Sequence, residues 1–513
     1  MKRIIVLSAL LVSLCPSVAQ AGGFEDRIST TALKETEIRN SLWLGSSSAA
    51  GLAFKPYRIF NTLNLGYNGA YGEYRGLGEG KSSTEVSLDT EGAAYLGKFL
   101  VTGDFSFKNT FDQDALYNVL LYELEDNMPY YPMDSKSSGW KRQSYELGAG
   151  LTSPVLWDRV SFGIDLEYYT KVGAKQLDPR TETYKYGLQL RPSVTVRLGE
   201  SLLGLSALYA DGFERSEPSN NNNWENPKIW YFRGLGESTQ GKVGGNDGLK
   251  DCFWRTSRFG GALQYSWSDA VFAELGYTFR QTDAKENPEL PKRLGTTKEH
   301  TFSLDAAWIF GQDKSDKLAL DALFSLTDGI EYVQKLNMAA FQQEWMVIST
   351  NAMSSYTDIR AALRYDHLFG AADPRGYDWK VGAEASFRMF DQSYLSPAST
   401  SNAMRVYGGI NADKQFKFKS SSLLVGVDGG YAAGLGSGYT CLSAKAYATP
   451  KAAMADQADW LNASYIKAGG RLDWTIQGSG KANWVLGARA SWLKPTSLDK
   501  DRLAVTASFG IIF

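Results

Sequence analysis

The sequence predicts an all-β transmembrane protein, an antiparallel up-and-down barrel of about eighteen strands, with sixteen as the alternative. Three observations predict it. Stretches that alternate apolar with small or polar residues recur along almost the whole chain. The breaks between them are by turns short and long. The chain ends on LAVTASFGIIF, with Leu503, Val505, Ala507, Phe509, Ile511 and Phe513 at every second position.

The elements follow in chain order. MKRIIVLSALLVSLCPSVAQA begins with Lys2 and Arg3, runs apolar from Ile4 to Leu14 and ends in Ala19-Gln20-Ala21. A basic head, a short apolar core and a small-x-small site make a signal peptide over 1–21, so the mature chain is expected to be exported. Leu14 stands before Cys15 where a lipid anchor would want a small residue, which favours cleavage after Ala21. Residues 22–56 are not strand-like. RISTTALKETEIRNSLW reads as a short helix starting near Thr30 or Thr31. The segment is expected either to fold into the barrel as a plug or to be a periplasmic lead-in, and both readings stay open.

The barrel is expected over 57–513. HTFSLDAAWIF sets Phe302, Leu304, Ala306, Trp308 and Phe310 against Ser303, Asp305 and Ala307. KLALDALFSL and YKYGLQLRPSVTVR repeat the design. Successive side chains of a strand point to opposite faces, so period two is a strand signal. The runs are of the length that a tilted bilayer-crossing strand needs, about nine to eleven residues. Starts fall near 57, 83, 99, 142, 160, 182, 202, 256, 270, 299, 317, 356, 378, 402, 422, 462, 482 and 502. Pro192 removes one ladder hydrogen bond and is expected to mark a bulge. Trp308, Trp379, Trp474, Trp484 and Trp492 sit near strand ends, as an aromatic girdle requires.

The breaks LGES, SWSD, FGQDKSD and GSGKAN are short, whereas 111–141, 213–254, 281–298, 327–355 and 435–460 are long. Short periplasmic turns opposite long extracellular loops are the barrel arrangement. Loop 327–355 is expected to carry a helix, because Leu336, Ala340, Phe341 and Trp345 recur at helical spacing. YRGLGEG (74–80) and YFRGLGES (231–238) read as similar outer turns; no phosphate-loop lysine follows them. SNNNNWENPKIWYF (219–232) is polar and aromatic, as a carbohydrate-contacting surface would be, but an ordinary solvated loop has the same composition and is the preferred reading.

Composition closes off other classes. A net charge of −2 argues against a polyanionic partner such as nucleic acid. Past the signal there is no apolar run of about 18 residues, hence no transmembrane helix is expected. Mature cysteines are Cys252 and Cys441, for which export permits a disulfide without requiring one. With only His300 and His367, a multi-histidine metal site is excluded, and no G-x-S-x-G elbow accompanies either. Neither an enzyme nor a cofactor is expected.

LAVTASFGIIF is expected to close the sheet by pairing with YRIFNTLNLGY. In this strand the sequence resembles bacterial outer-membrane β-barrels, whose last strand typically ends in Phe and is read by the membrane-assembly machinery. That resemblance implies the outer membrane of a Gram-negative bacterium, with its lipid bilayer and assembly machinery as partners. NMPYYPMDSKSSGWKRQSYEL (127–147) and RNSLWLGSSSAAGL (39–52) resemble an uncharacterised family of large barrels from Bacteroidota. The family carries no settled activity. Some relatives stand near TonB-dependent uptake systems linked to iron or haem, which is association only.

Charged positions on the polar face carry the site expectation. YTDIRAALRYDHLF turns Asp358, Arg360, Arg364 and Asp366 inward if Ile359, Leu363 and Tyr365 meet lipid. DWKVGAEASFRMF aims Lys380, Glu384 and Arg388 the same way. Symmetric pairing across GAADPRGY sets Arg364 opposite Glu384 and Arg360 opposite Arg388. Two cations side by side call for an anion, either a solute carboxylate or phosphate or a wall acid such as Asp358. Asp165, Glu167, Glu274, Asp305, Asp321, Lys467, Arg471 and Asp473 add both signs, with an acidic stripe at Glu85, Asp89 and Glu91. The expectation is a polar pore or gated channel for small solutes. The rival is a non-transporting accessory barrel, whose long loops bind a surface lipoprotein or a TonB-dependent receptor.

Overall fold

Alternation decides the wall. A computed structural model of the chain describes residues 30–54, 61–117, 120–121, 128–222, 224–225, 227–243, 250–338, 343–443, 446–478 and 482–512. The expected signal peptide, residues 22–29 and 55–56, the first residues of YRIFNTLNLGY and Phe513 lie outside these.

The wall opens with β1 (Thr62–Tyr71), β2 (Ser82–Leu96) and β3 (Phe99–Ala115). It continues with β4 (Ser138–Thr152), β5 (Val160–Lys175), β6 (Arg180–Leu198) and β7 (Ser201–Ser219). Next come β8 (Cys252–Trp267), β9 (Val271–Glu286), β10 (Lys292–Phe310) and β11 (Asp316–Asn337). β12 (Glu344–Phe369), β13 (Trp379–Tyr394), β14 (Ser399–Lys417) and β15 (Ser421–Gly434) follow. β16 (Tyr465–Gln477), β17 (Asn483–Pro495) and β18 (Arg502–Ile512) complete it.

Each strand pairs antiparallel with its sequence neighbours, and β18 returns to β1 from Thr62↔Ile512 to Tyr71↔Leu503. The result is a closed antiparallel barrel of eighteen strands. Closure satisfies the backbone of both terminal strands, which hydrocarbon demands. Faces obey period two. On β8, Leu263, Tyr265 and Trp267 point out, while Gln264 and Ser266 are buried inside. The five girdle tryptophans all face out and are exposed.

Four expectations are corrected. Pro192 makes no bulge: Ile164↔Pro192 on one side, and Leu190↔Tyr209 with Ser193↔Ser206 on the other, hold one register. The missing N–H is simply absorbed at that rung. Region 281–298 is mostly strand, with β9 running to Glu286 and β10 starting at Lys292. Region 327–355 is strand as well, since β11 runs to Asn337 and β12 starts at Glu344. Leu336 and Trp345 face each other across that ladder and belong to no helix; Ala340 and Phe341 lie outside the described residues. Here the sheet projects past the apolar band, so polar residues that read as loop remain paired. The two cysteines are free, with Cys252 buried.

The long-loop mouth is covered. A three-stranded sheet of Pro132–Met133, Lys228–Gly234 and Glu237–Lys242 packs with helix α2 (Ala448–Asn462). Its core includes Tyr130, Met133, Ile229, Trp230, Trp254 and Met454, so the end of the tract 219–232, expected as a solvated loop, is instead a strand that buries Ile229, Trp230 and Phe232. The indole N–H of Trp254 donates to the Tyr130 carbonyl at 2.9 Å. Asp134 and Lys175 form an ion pair inside this cap, both almost fully buried. YFRGLGES supplies the hairpin turn, where Leu235 and Gly236 take positive φ.

Candidate functional site

The short-turn mouth holds residues 30–54. Helix α1 (Thr31–Asn40) starts where Thr30 accepts from the Leu33 N–H at 3.0 Å, the N-cap that the sequence pattern places there. Ala32 packs with Leu368, Tyr377 and Leu424, and Leu33 with Val485 and Ile512. After Ser41 the chain crosses to the far wall. Trp43 meets Phe272 edge-on at 5.4 Å, and its indole N–H donates to Ser266 Oγ at 3.0 Å. The Ser47 N–H donates to Glu274 at 2.9 Å, and the Ala50 N–H to Ser193 Oγ at 3.2 Å. Thr152 donates to the Ala49 carbonyl at 3.0 Å.

One continuous segment therefore touches β12 to β18 at one end and β4 to β9 at the other. A chain that meets opposite walls of a closed barrel runs inside its circumference. The wall accommodates it closely: a Cβ at Gly163 would sit 2.4 Å from the Ala50 nitrogen.

Charge fixes α1. Glu35 accepts from Arg471 Nη1 at 2.5 Å and Nη2 at 3.1 Å, and from the Tyr377 hydroxyl at 2.7 Å. Arg471 Nε also donates to Asp413 at 2.8 Å, and Lys380 Nζ lies 3.9 Å from Glu35. Burial pushes the Glu35 carboxyl up, but the Arg471 hydrogen bonds and charge, together with Lys380 and Tyr377, outweigh it and hold the group below its ordinary range. Arg39 Nε donates to Asp366 at 2.5 Å, and its Nη1 and Nη2 reach the carbonyls of Lys314 and Ser315 at 2.8 and 3.1 Å. Lys34 pairs with Glu91 of β2.

The candidate residues from the sequence divide by what they touch. Asp366 and Lys380 meet α1. Arg360 stands in register with Arg388, as symmetric pairing requires. Asp358 bridges them, accepting from Arg360 Nε and Nη2 at 3.0 and 2.6 Å and from Arg388 Nη2 at 3.2 Å. Arg364 is in register with Glu384 but pairs with Asp321 of β11. Sequence reasoning placed no role on Glu35, Arg39, Tyr377 or Asp413. The signal available was the charged helical stretch KETEIR, set ahead of a barrel whose Arg471 has no acid on its own strand closer than Asp473.

Between the two covered mouths the lumen is wet. The inward side chains of Arg364, Glu167, Lys467 and Arg489 are 53, 56, 41 and 59% exposed. No helix among the described residues is long and apolar enough to cross a membrane. Fold and site together define a strand-spanning membrane barrel with a segment laid across its interior.

The chain belongs to the family of unknown function DUF6850, whose model matches residues 49–513. No curated protein matches it. Among solved structures it is similar to BauA, the ferric preacinetobactin receptor of Acinetobacter baumannii, at 10% identity over 88% of this chain and 80% of that one, with a TM-score of 0.39. OccK9 of Pseudomonas aeruginosa is similar at 11% identity over 89% and 98%, TM-score 0.34. The toluene transporter TodX of Pseudomonas putida is similar at 10% identity over 91% and 92%, TM-score 0.30.

Proposed function

We propose that the protein is a gated channel for small polar solutes in the outer membrane of a Gram-negative bacterium, with residues 30–54 as its plug. The observation that carries this is the mode of attachment. Polar bonds and ion pairs to inward residues hold much of the segment, and such contacts exchange readily with water when a segment moves. The water-accessible charges behind it are suited to polar solutes and hostile to greasy ones. The charged group of β12 and β13 is the selectivity surface in this reading, with Asp358, Arg360, Arg364, Asp366, Lys380, Glu384 and Arg388 as its members. A nutrient-uptake setting linked to iron or haem, which the resemblance implies, is the one proposed. Planar-bilayer recording tests the reading: deletion of residues 30–54 is expected to convert rare openings into sustained current. Unchanged conductance would remove the plug.

One observation favours the accessory reading instead. Among the described residues, past Ile330 and past Met353, whose carbonyl still accepts from the Leu395 N–H at 2.8 Å, the ladder of β11 and β12 joins these two strands alone, so a two-stranded ribbon stands out from the long-loop mouth. It exposes Val333, Met346, Val347 and Ile348 and keeps open edges, a template for strand addition by a surface lipoprotein or receptor. Silence in the bilayer with a partner co-purifying through this ribbon would support that alternative.

A further inference from the structure

At the long-loop mouth a cavity of about 210 Å³ lies between the connection from β1 to β2, the residues after β3, the C-terminal turns of α2 and the connection before β18. Sites for drug-sized ligands begin at about 300 Å³, so this space suits a single small ring. Helix α2 presents Asp456, Gln457, Asp459 and Trp460 to it, at the spacings of three and four that gather side chains on one helical face. The opposite side is the stretch YRGLGEG, which is folded on itself. The Gly76 N–H donates to Glu79 Oε2 at 3.1 Å, the Glu79 N–H to the Gly76 carbonyl at 3.2 Å, and Arg75 Nη1 to the Glu79 carbonyl at 3.0 Å. Gly78 takes the positive φ of this turn. The Tyr74 hydroxyl donates to the Trp460 carbonyl at 2.8 Å, and the two rings lie 6.3 Å apart. A Cβ at Gly76 would stand 3.5 Å from the edge of the indole, so the loop and the helix meet closely.

Gln457 gives the cavity its direction. It is 7% exposed, yet its side-chain amide has no hydrogen-bond partner among the described residues and is not sealed in by protein, so it opens on the cavity. A buried amide calls for a partner, which an occupant of the cavity would supply. Around it Asp456, Asp459 and Glu79 offer acceptors, and Arg75 and Lys500 offer donors, while Glu73 is engaged by Lys81. A singly charged ligand would meet like charge on one side of such a rim. Neutral hydroxyls suit both sides, donating to the carboxylates and accepting from the bases. Trp460, Tyr74 and Tyr117 add an apolar wall.

We propose that this cavity is a subsite for a monosaccharide, its C–H face on Trp460 and its hydroxyl edge toward Gln457, Asp456, Asp459 and Arg75. The subsite names a solute class for the proposed channel and rests on that reading for its role in passage; binding itself does not depend on current.

The test is isothermal titration calorimetry of the purified protein in a polyoxyethylene detergent, which carries no sugar head. The probes are glucose, galactose, mannose and N-acetylglucosamine, with cyclohexanol as a ring with a single hydroxyl and tetramethylammonium as an organic cation. Saturable binding of at least one sugar is expected, with neither control binding. Gln457→Leu and the exposed substitution Asp459→Ala are each expected to weaken that sugar about tenfold, the loss of a buried or charge-assisted hydrogen bond. No binding of any of the four sugars, or binding of tetramethylammonium in their place, overturns the proposal without recourse to any variant. Full affinity in Asp459→Ala and in a folded Gln457→Leu overturns the assignment to this cavity. Sugar binding in a protein that passes no current leaves the subsite standing and removes the channel, and current without sugar binding does the reverse.

Discussion

Replacing Glu35 with Gln strikes the point at which α1 is held to the wall. The side chain keeps its shape and can still accept from Tyr377, but the charge facing Arg471 is lost. Removing one partner of a fully buried ion pair costs about 3–5 kcal/mol. Here the Glu35 and Arg471 side chains retain 26 and 18% exposure. Arg471 also keeps Asp413 at 2.8 Å. Solvent screening and that remaining acid bring the expected cost to about 2 kcal/mol. At about 1.4 kcal/mol per factor of ten, the undocked population of α1 rises about 30-fold. Amide hydrogen exchange of residues 31–40 in detergent reads this directly, and bilayer open probability reads its consequence. Unchanged protection of those amides in a variant that still shows heat-modifiable gel migration would refute the assignment of Glu35 as the pin.

Further expectations follow from the same contacts. Because the folded-state carboxyl of Glu35 titrates below its ordinary value of about 4.3, its contribution is fully present above that pH and is lost as pH falls through the lower folded value. Protection of α1, corrected for intrinsic exchange, is therefore expected to be flat from about pH 7 to 5 and to drop below about 4; a fall above pH 5 would contradict it. Gly163→Val drives a side chain against the Ala49–Ala50 backbone, which cannot yield as a flexible side chain would. Conductance is expected to rise while the barrel still assembles, and unchanged current would place that crossing elsewhere. Asp358→Asn leaves Arg360 and Arg388 in register without their shared carboxylate. Reversal potentials in a KCl gradient should shift toward anion selectivity, and replacing both arginines with Ser should reverse the shift. No change in either variant would dismiss these residues as a selectivity surface.

Much of the wall was legible because a strand displays its environment in its own alternation. The expected starts at 99, 160 and 502 coincide with Phe99, Val160 and Arg502, and 83 and 422 fall one residue from Ser82 and Ser421. The start expected at 356 misses by twelve, since β12 begins at Glu344. Residues 344–355 lie beyond the apolar band, where no lipid enforces a greasy face and the period fades although the ladder continues. The same reason hid the upper part of β11. The register of β12 on β13 was readable from the turn between them, because a short connection leaves few alignments. That Asp358 serves both arginines follows once that register holds.

By itself the sequence placed most of the strands and their faces, set their number at about eighteen with sixteen still open, and marked a short helix near Thr30 or Thr31, since each depends on residues close together in the chain. Only the tertiary structure decided that Glu35 meets Arg471, that Arg39 meets Asp366 and that Ser47 reaches Glu274. These partners are separated by hundreds of residues, and nothing local distinguishes one inward charge from another. Closure of the sheet brings them within reach, and the order of strands around the circumference selects which charge each one finds.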